Sequence, residues 1–237
     1  MDAPSDAIRF LTPLPQFAGV EAGAIQRLAA RCRPVSLRPA QRVFTEGDPC
    51  RHLHILRAGR VKCYRASTEG REQVLKLFER PGDMFCTTSA FTTGSYIVTA
   101  EAVSETALYA VDVETLKRVA LDQPAVALAL VTAAGDQLRS LVGLAEDLSL
   151  RTATARVAKL LYERARAEDR RDGTEVRLRR DGLREEQIAA MVGTVRVHVS
   201  RSLKALAGMG AITLDRETIR IADVKVLERL FQAAESR

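Results

Sequence analysis

Between residues 35 and 111 the chain alternates short runs of β-branched and aromatic residues with glycine punctuation. The runs read RVFTEGD, HLHILRAG, RVKCYRASTEG, EQVLKLFERPGD, SYIVTAEAV and ALYAVD. A two-residue period is plain in His52-Leu53-His54-Ile55-Leu56 and in Val61-Lys62-Cys63-Tyr64. With turns at Gly47, Gly59, Gly70 and Gly82, this pattern predicts an antiparallel roll or barrel of short strands. The stretch GAIQRLAARCR (Gly23–Arg33) predicts a short helix leading into it.

Near Pro124 the period changes. Apolar residues then fall at Ala127, Val131, Ala134, Leu138, Leu141, Ala145 and Leu148, a 4-3-4-3-4-3 spacing. That spacing is the seam of a two-stranded coiled coil, and Pro124 suits the first turn of its helix. Leu130 and Leu144 lie off the seam, where they would cover the roll. A helix packed only on its own chain usually shows a wider stripe. Three seam alanines allow close approach of two helices, so the pattern favours a homodimer.

After residue 150, TATARVAKLLYERARAE predicts an amphipathic helix and EVRLRRDGL a strand and turn. LREEQIAAMVGTVRVHVSRSLKALAGMGAI carries two helical patterns, and TLDRETIRIAD reads as a hairpin. Helices followed by a β-hairpin predict a winged helix-turn-helix. The whole is an α+β chain: a roll over residues 1–120, a dimerisation helix over 121–150 and a DNA-binding domain over 151–237.

In the helix-turn-helix, the first helix should bury Ile188, Ala189 and Val192, and Gly193 supplies the positive φ of the turn. Thr194 is the expected N-cap of the second helix. On that helix Val195, Val199, Leu203 and Leu206 should face inward. The predicted DNA-contacting set is Thr194, Arg196, Val197, His198, Ser200, Arg201 and Lys204. An arginine near the helix start can read a guanine edge, while hydroxyls and later cations reach phosphates.

Charge sharpens this picture. Of a net +6, residues 151–237 carry all the excess, with 19 Lys/Arg against 13 Asp/Glu. The first 150 residues hold 17 of each, so one domain suits a polyanion and the other does not. With 237 residues and 46% hydrophobic content, the chain is expected to fold as two globular domains. The N-terminus MDAPSDAIRFLTPLPQF has no basic region followed by an apolar segment, and no uninterrupted apolar stretch suits a membrane span. A cytoplasmic location is the expectation. Cys32, Cys50, Cys63 and Cys86 include no Cys-x-x-Cys pair, which argues against zinc and clustered iron–sulfur sites. Buried thiols are the plainest reading.

These motifs resemble the CRP/FNR superfamily across nearly the whole chain. In the roll the resemblance rests on Glu46-Gly47-Asp48, Ala58-Gly59-Arg60-Val61, Gly70-Arg71-Glu72 and Pro81-Gly82-Asp83. In the C-terminal domain it rests on Ile188-Ala189, Gly193-Thr194-x-Arg196 and Val199-Ser200-Arg201. It implies a β-roll of the cyclic-nucleotide-binding, jelly-roll type, a long dimer helix and a winged helix-turn-helix. It also implies a homodimer on palindromic double-stranded DNA, with RNA polymerase as a further partner if the protein activates. The common family pattern places Arg-Glu-Thr at the start of the recognition helix, where this chain has Arg196-Val197-His198. The missing Glu would have accepted from cytosine, so a different base preference is expected there.

The candidate effector pocket is Phe85, Cys86, Thr87, Thr88 and Tyr96. Cyclic-AMP-binding relatives have Gly-Glu after Gly-Asp-x-Phe, then an Arg-Ser or Arg-Thr. This chain has Cys86-Thr87 and Tyr96-Ile97 at those places, which disfavours cyclic AMP. Gly82-Asp83-Met84-Phe85-Cys86 resembles the carbon-monoxide-sensing haem branch, whose Cys is an iron ligand. That branch has a His two residues further on, and here Thr88 stands there. Several readings stay open: haem held by Cys86; His52 and His54, on one strand face, as a ligand pair or as surface residues; thiol chemistry at Cys86 and Cys63, if Lys62 and Arg65 help to lower a pKa; a small apolar or anionic ligand; or no effector.

No nucleophile elbow, phosphate loop or helical His pair supports an enzyme. The main alternative is a regulatory module with a cyclic-nucleotide-like fold that binds a protein partner. It would want a broad apolar surface in place of the Arg196/Arg201 face.

Overall fold

The structure is a computed structural model that describes residues 3–92, 94–168, 176–180 and 182–232. Helix α1 (Ala3–Leu11) and a 3₁₀ turn (Pro15–Phe17) precede helix α2 (Ala22–Ala29). The α2 helix supplies the expected lead-in but stops at Ala29, so Cys32 and Arg33 of the expected helix open the first strand instead; α1 was not read from the sequence. Ala7 and Leu11 of α1, one helical turn apart, are buried with Ile25 and Leu28 of α2 in one core.

The glycine-cut segments become strands β1 (Cys32–Leu37), β2 (Arg42–Phe44), β3 (His52–Ala58), β4 (Val61–Ala66), β5 (Glu72–Phe78) and β6 (Met84–Phe85). A short helix α3 (Thr87–Phe91) separates these from β7 (Thr99–Ala102) and β8 (Thr106–Asp112). The strands form two four-stranded sheets in the orders β1-β8-β3-β6 and β2-β7-β4-β5. β8 pairs antiparallel with both β1 and β3, setting Cys32 opposite Val111 and His54 opposite Ala110. Four successive β3 residues, Leu53 to Leu56, are buried. The cause is cover on both faces. Leu53 and Ile55 join the core with α1 and α2, while Leu56 joins a second core with Phe44, Phe78 and Phe85. Gly59 links β3 to β4 at φ +89, and a Cβ there would lie 2.3 Å from the Glu105 carbonyl oxygen.

Helix α4 (Val113–Asp122) is capped by Asp112, whose Oδ1 accepts from the Thr115 N–H at 2.8 Å. Helix α5 (Pro124–Leu150) starts at the expected proline. It buries Val126, Ala129 and Leu130, so Leu130 covers the roll as its off-seam position suggested. Along the seam, Val131, Leu138, Leu141 and Leu148 are exposed in the single chain. By length and composition α5 also passes as a membrane span. The chain divides into two compact units, residues 1–65 with 75–141, and 66–74 with 142–237.

In the second unit, Asp147 near the end of α5 accepts from Lys159 at 2.8 Å and pairs with Arg151. Lys159 lies on helix α6 (Ala153–Glu168). Then come β9 (Val176–Arg179), helices α7 (Glu185–Val192) and α8 (Arg196–Gly208), β10 (Ile212–Leu214), β11 (Thr218–Ile221) and helix α9 (Val224–Gln232). Glu175, which opens the expected strand and turn, and Asp181 within it lie outside the described residues. The three strands form one antiparallel sheet, β10-β11-β9. Its core joins Val157, Leu161, Leu178, Ile188, Val199 and Leu206.

Candidate nucleic-acid interface

The turn between α7 and α8 is built on Gly193, held at φ +65 as the sequence anticipated. Its N–H and that of Thr194 both donate to the Ala189 carbonyl, closing α7 in a left-handed cap. The positive φ favours glycine here, and a Cβ at position 193 would lie 2.4 Å from Leu148 Cδ2, so that side-chain tip would have to move aside.

Two local expectations need correction. The N-cap of α8 is Val195, in extended conformation, rather than Thr194. The Thr194 hydroxyl instead lies 3.2 Å from His198 Nδ1 across the first turn. Val195 also does not pack inward, because the cap lies outside the helical cylinder; it is 41% exposed. The buried face of α8 begins at Val199 and continues through Ser202, Leu203 and Leu206.

Opposite that face Arg196, Val197, His198, Arg201 and Lys204 are exposed, and Thr194 and Ser200 are half-buried. Arg196 opens the helix and donates from Nε to Glu185 Oε2 at 3.1 Å, with Glu186 Oε1 at 3.2 Å. Those carboxylates raise the arginine's pKa, chiefly through the Glu185 hydrogen bond. Arg179, Arg180, Arg184 and Arg216 line the same open cleft beside the wing, of about 810 Å³.

Of the candidate effector residues, Phe85, Cys86 and Tyr96 share one buried core of the roll, Thr87 is buried beside Cys86 in the chain, and Thr88 is exposed. Cys86 sits at φ +71, a left-handed conformation that favours glycine. Around it Phe44 stacks on Tyr96 with ring centroids 3.7 Å apart, and His54 stacks on Phe85 at 5.3 Å. Burial drives the His54 pKa down to about 3, with His52 adding a smaller repulsion, and its Nδ1 has no hydrogen-bond partner. His52 and His54 do share a strand face, with ring centroids 6.5 Å apart. No set of three or more His, Cys, Asp or Glu side chains suited to a metal occurs among the described residues.

The condition set for thiol chemistry fails here. Burial pushes the Cys63 thiol up to about 12 and raises Cys86 well above the ordinary thiol range. Lys62 is turned to Glu101 at 3.1 Å and Arg65 to Glu46, so neither cation serves a thiolate.

Comparison with known proteins agrees with this geometry. Residues 34–123 match the cyclic nucleotide-binding domain family, and residues 155–230 match the Crp-like helix-turn-helix domain family. A CRP-like cAMP-activated global transcriptional regulator of Mycobacterium tuberculosis is 32% identical over 213 residues, covering 90% of this chain and 94% of its own. The chain belongs to the CRP/FNR superfamily. A cyclic AMP receptor protein of Thermus thermophilus is 30% identical, covering 79% of this chain and 83% of its own. Among solved structures, a CRP/FNR-family regulator of Eubacterium rectale has a TM-score of 0.76 at 23% identity, covering 92% of this chain and 98% of that one.

As a CRP/FNR protein, the chain is a DNA-binding transcription regulator, and members of the family typically dimerise. Sequence reasoning missed two groups of residues in this CRP/FNR fold. Glu185 and Glu186 entered only as part of a helical pattern, although acids in a first turn are a visible signal. Phe44 was read only as part of a strand, and no local signal in RVF announces its stack with Tyr96.

Proposed function

We propose that the protein is a sequence-specific, effector-responsive regulator that binds a two-fold symmetric operator as a homodimer. The exposed face of α8, with Arg196, Arg201 and Lys204 turned away from the core, carries this reading. Arg196 is assigned to a guanine edge, and Thr194, Ser200, Arg201 and Lys204 to positioning on phosphate. Val197 and His198 occupy the middle of the reading surface, where an apolar group suits a thymine methyl and cannot accept from cytosine. Residues 1–120 act as the sensor, 121–150 as the dimer helix and 151–237 as the DNA-binding domain. The exposed seam of α5 supports pairing of two copies, which also accounts for its apolar length. Binding to duplex DNA as a regulator goes with a cytoplasmic location and a non-catalytic role.

Two relatives are named for cyclic AMP, yet the chemistry of these core residues favours a different effector. A cyclic phosphate keeps its charge, and burying it requires a paired cation and donors. In the aromatic core around Cys86, His54 is held neutral, and the described buried polar residues of the roll include no Lys or Arg. For haem, Cys86 is the candidate ligand; its burial is compatible with a site inside the roll, but Thr88 faces outward and has no ligating nitrogen.

Selection from random duplexes, followed by titration of the recovered operator, tests the reading. Arg196→Ala should weaken operator binding by about 1–3 kcal/mol. Unchanged affinity would overturn the assignment. Calorimetric titration of the dimer with cyclic AMP should show no binding, and a saturable heat would restore cyclic AMP as the effector. A Soret band in the purified protein would make haem the effector instead.

A further inference from the structure

The start of a helix ordinarily attracts phosphate, because its first N–H groups have no intrahelical partners and the helix dipole is positive there. α7 begins beside the recognition helix, yet its first two residues are Glu185 and Glu186. Both carboxylates converge on one atom, Arg196 Nε, at 3.1 and 3.2 Å. Glu185 is the better sheltered, its side chain 27% exposed against 63% for Glu186. The hydrogen bond and both ion pairs of Arg196 run through Nε, and no hydrogen bond among the described residues engages either Nη group.

An arginine at a helix start can swing between a base edge and the phosphate backbone, and only the first choice carries sequence information. End-on reading of guanine O6 and N7 uses the two Nη groups as a parallel fork. Holding Nε leaves that fork as the edge available to DNA. It also removes rotamer freedom that would otherwise be lost on binding. The same two negative charges repel a phosphate approaching α7, although four further arginines line the cleft.

Building on the assignment of Arg196 to a base, we infer that Glu185 and Glu186 are specificity-determining residues, which position Arg196 for guanine and weaken sequence-independent binding. An exposed ion pair adds little to folding stability, so the effect belongs to DNA discrimination rather than to the fold.

The full-length dimer is titrated with the selected operator, with the operator altered at the Arg196-contacted base pair, and with a scrambled duplex, each across a salt series. The Glu185→Ala/Glu186→Ala protein should bind the scrambled duplex several-fold more tightly. Its preference for operator over scrambled duplex should fall about tenfold. The Glu185→Gln/Glu186→Gln protein removes charge but keeps acceptors for Nε. It should show the same tighter scrambled-duplex binding with a smaller loss of guanine preference. Melting curves matching the parent establish that both variants are folded. An unchanged operator preference in the folded Ala variant overturns the inference. If Arg196→Ala itself binds operator like the parent, the base assignment fails first. If Arg196→Ala is impaired while the double Ala variant is not, only the role of the two acids is lost.

Discussion

The ring of Tyr96 lies flat against that of Phe44, centroids 3.7 Å apart and planes 12° from parallel, and the Tyr96 hydroxyl donates to the His52 carbonyl at 3.0 Å. The stack adds apolar area to the core of the roll, and the hydroxyl fastens it to β3. The two contributions separate by mutation. Phe44→Ala should cost about 3–5 kcal/mol of stability through lost burial and the cavity left behind. Tyr96→Phe should cost about 1 kcal/mol, the worth of one hydrogen bond. Urea unfolding followed by circular dichroism measures both, and equal losses would shift the weight from the stack to the hydroxyl.

His54 makes the roll sensitive to acid. Its folded pKa of about 3 lies below the ordinary value of 6.5, so between those limits the unfolded chain binds a proton that the folded one refuses. This contribution is whole above pH 6.5 and is lost as pH falls, at up to about 1.4 kcal/mol per pH unit. The roll's stability should therefore decline from pH 6.5 toward pH 4. His54→Phe, which keeps the contact with Phe85, should flatten that slope. An equal slope in the variant would assign the acid sensitivity to other groups.

Leu138 is 63% exposed in the single chain, so a charge there meets water in a monomer and the partner helix in a dimer. Leu138→Lys should leave the chain folded and make it monomeric at micromolar concentration by analytical ultracentrifugation. Operator affinity should fall with the dimer, since two half-sites must be engaged together. A dimer that survived the charge would place the interface off this seam.

Val197, 57% exposed, stands where the family pattern has a carboxylate. Val197→Glu should add a preference for cytosine at the facing base, worth about 1–3 kcal/mol between matched and mismatched duplexes. Parallel selections with both proteins would reveal the change, and identical recovered operators would move Val197 away from the base edges.

At pH 8 only about one Cys63 thiol in 10⁴ is ionised if its pKa is about 12. Iodoacetamide should therefore label Cys63 and Cys86 far more slowly in the folded protein than in urea, as peptide mass spectrometry would report. Rapid labelling of the native protein would point to an open form of the roll.

Much of this architecture is legible in the sequence. The two-residue period around His54 and the glycine spacing announce the roll, and the seam from Ala127 to Leu148 announces α5. The Gly193 turn and the exposed Arg196, Arg201 and Lys204 follow from helical spacing and from the φ that glycine permits. The failures lie where local rules compete. Thr194 is a good capping residue, yet Val195 takes the cap and Thr194 turns to His198, because the Gly193 turn decides where the next helix begins. α4 and α9 carry a legible helical spacing, with Leu116 and Val119 in the first and Leu227 in the second turned inward, and were not read as helices.

Taken alone, the sequence determined periodicity, turn placement, charge asymmetry and the family, all properties of neighbours along the chain. Tertiary structure decided which distant side chains meet. Arg196 and Glu185 are eleven residues apart, and only the angle between α7 and α8 sets one carboxylate against one guanidinium nitrogen. His54 reads as an ordinary alternating strand residue, and becomes a neutral group with an unpartnered Nδ1 because β2, β6 and the segment before β7 close around it. Burial and ion pairing depend on how elements pack in space, and a pattern of hydrophobic and polar positions specifies which face turns inward without naming what it will touch.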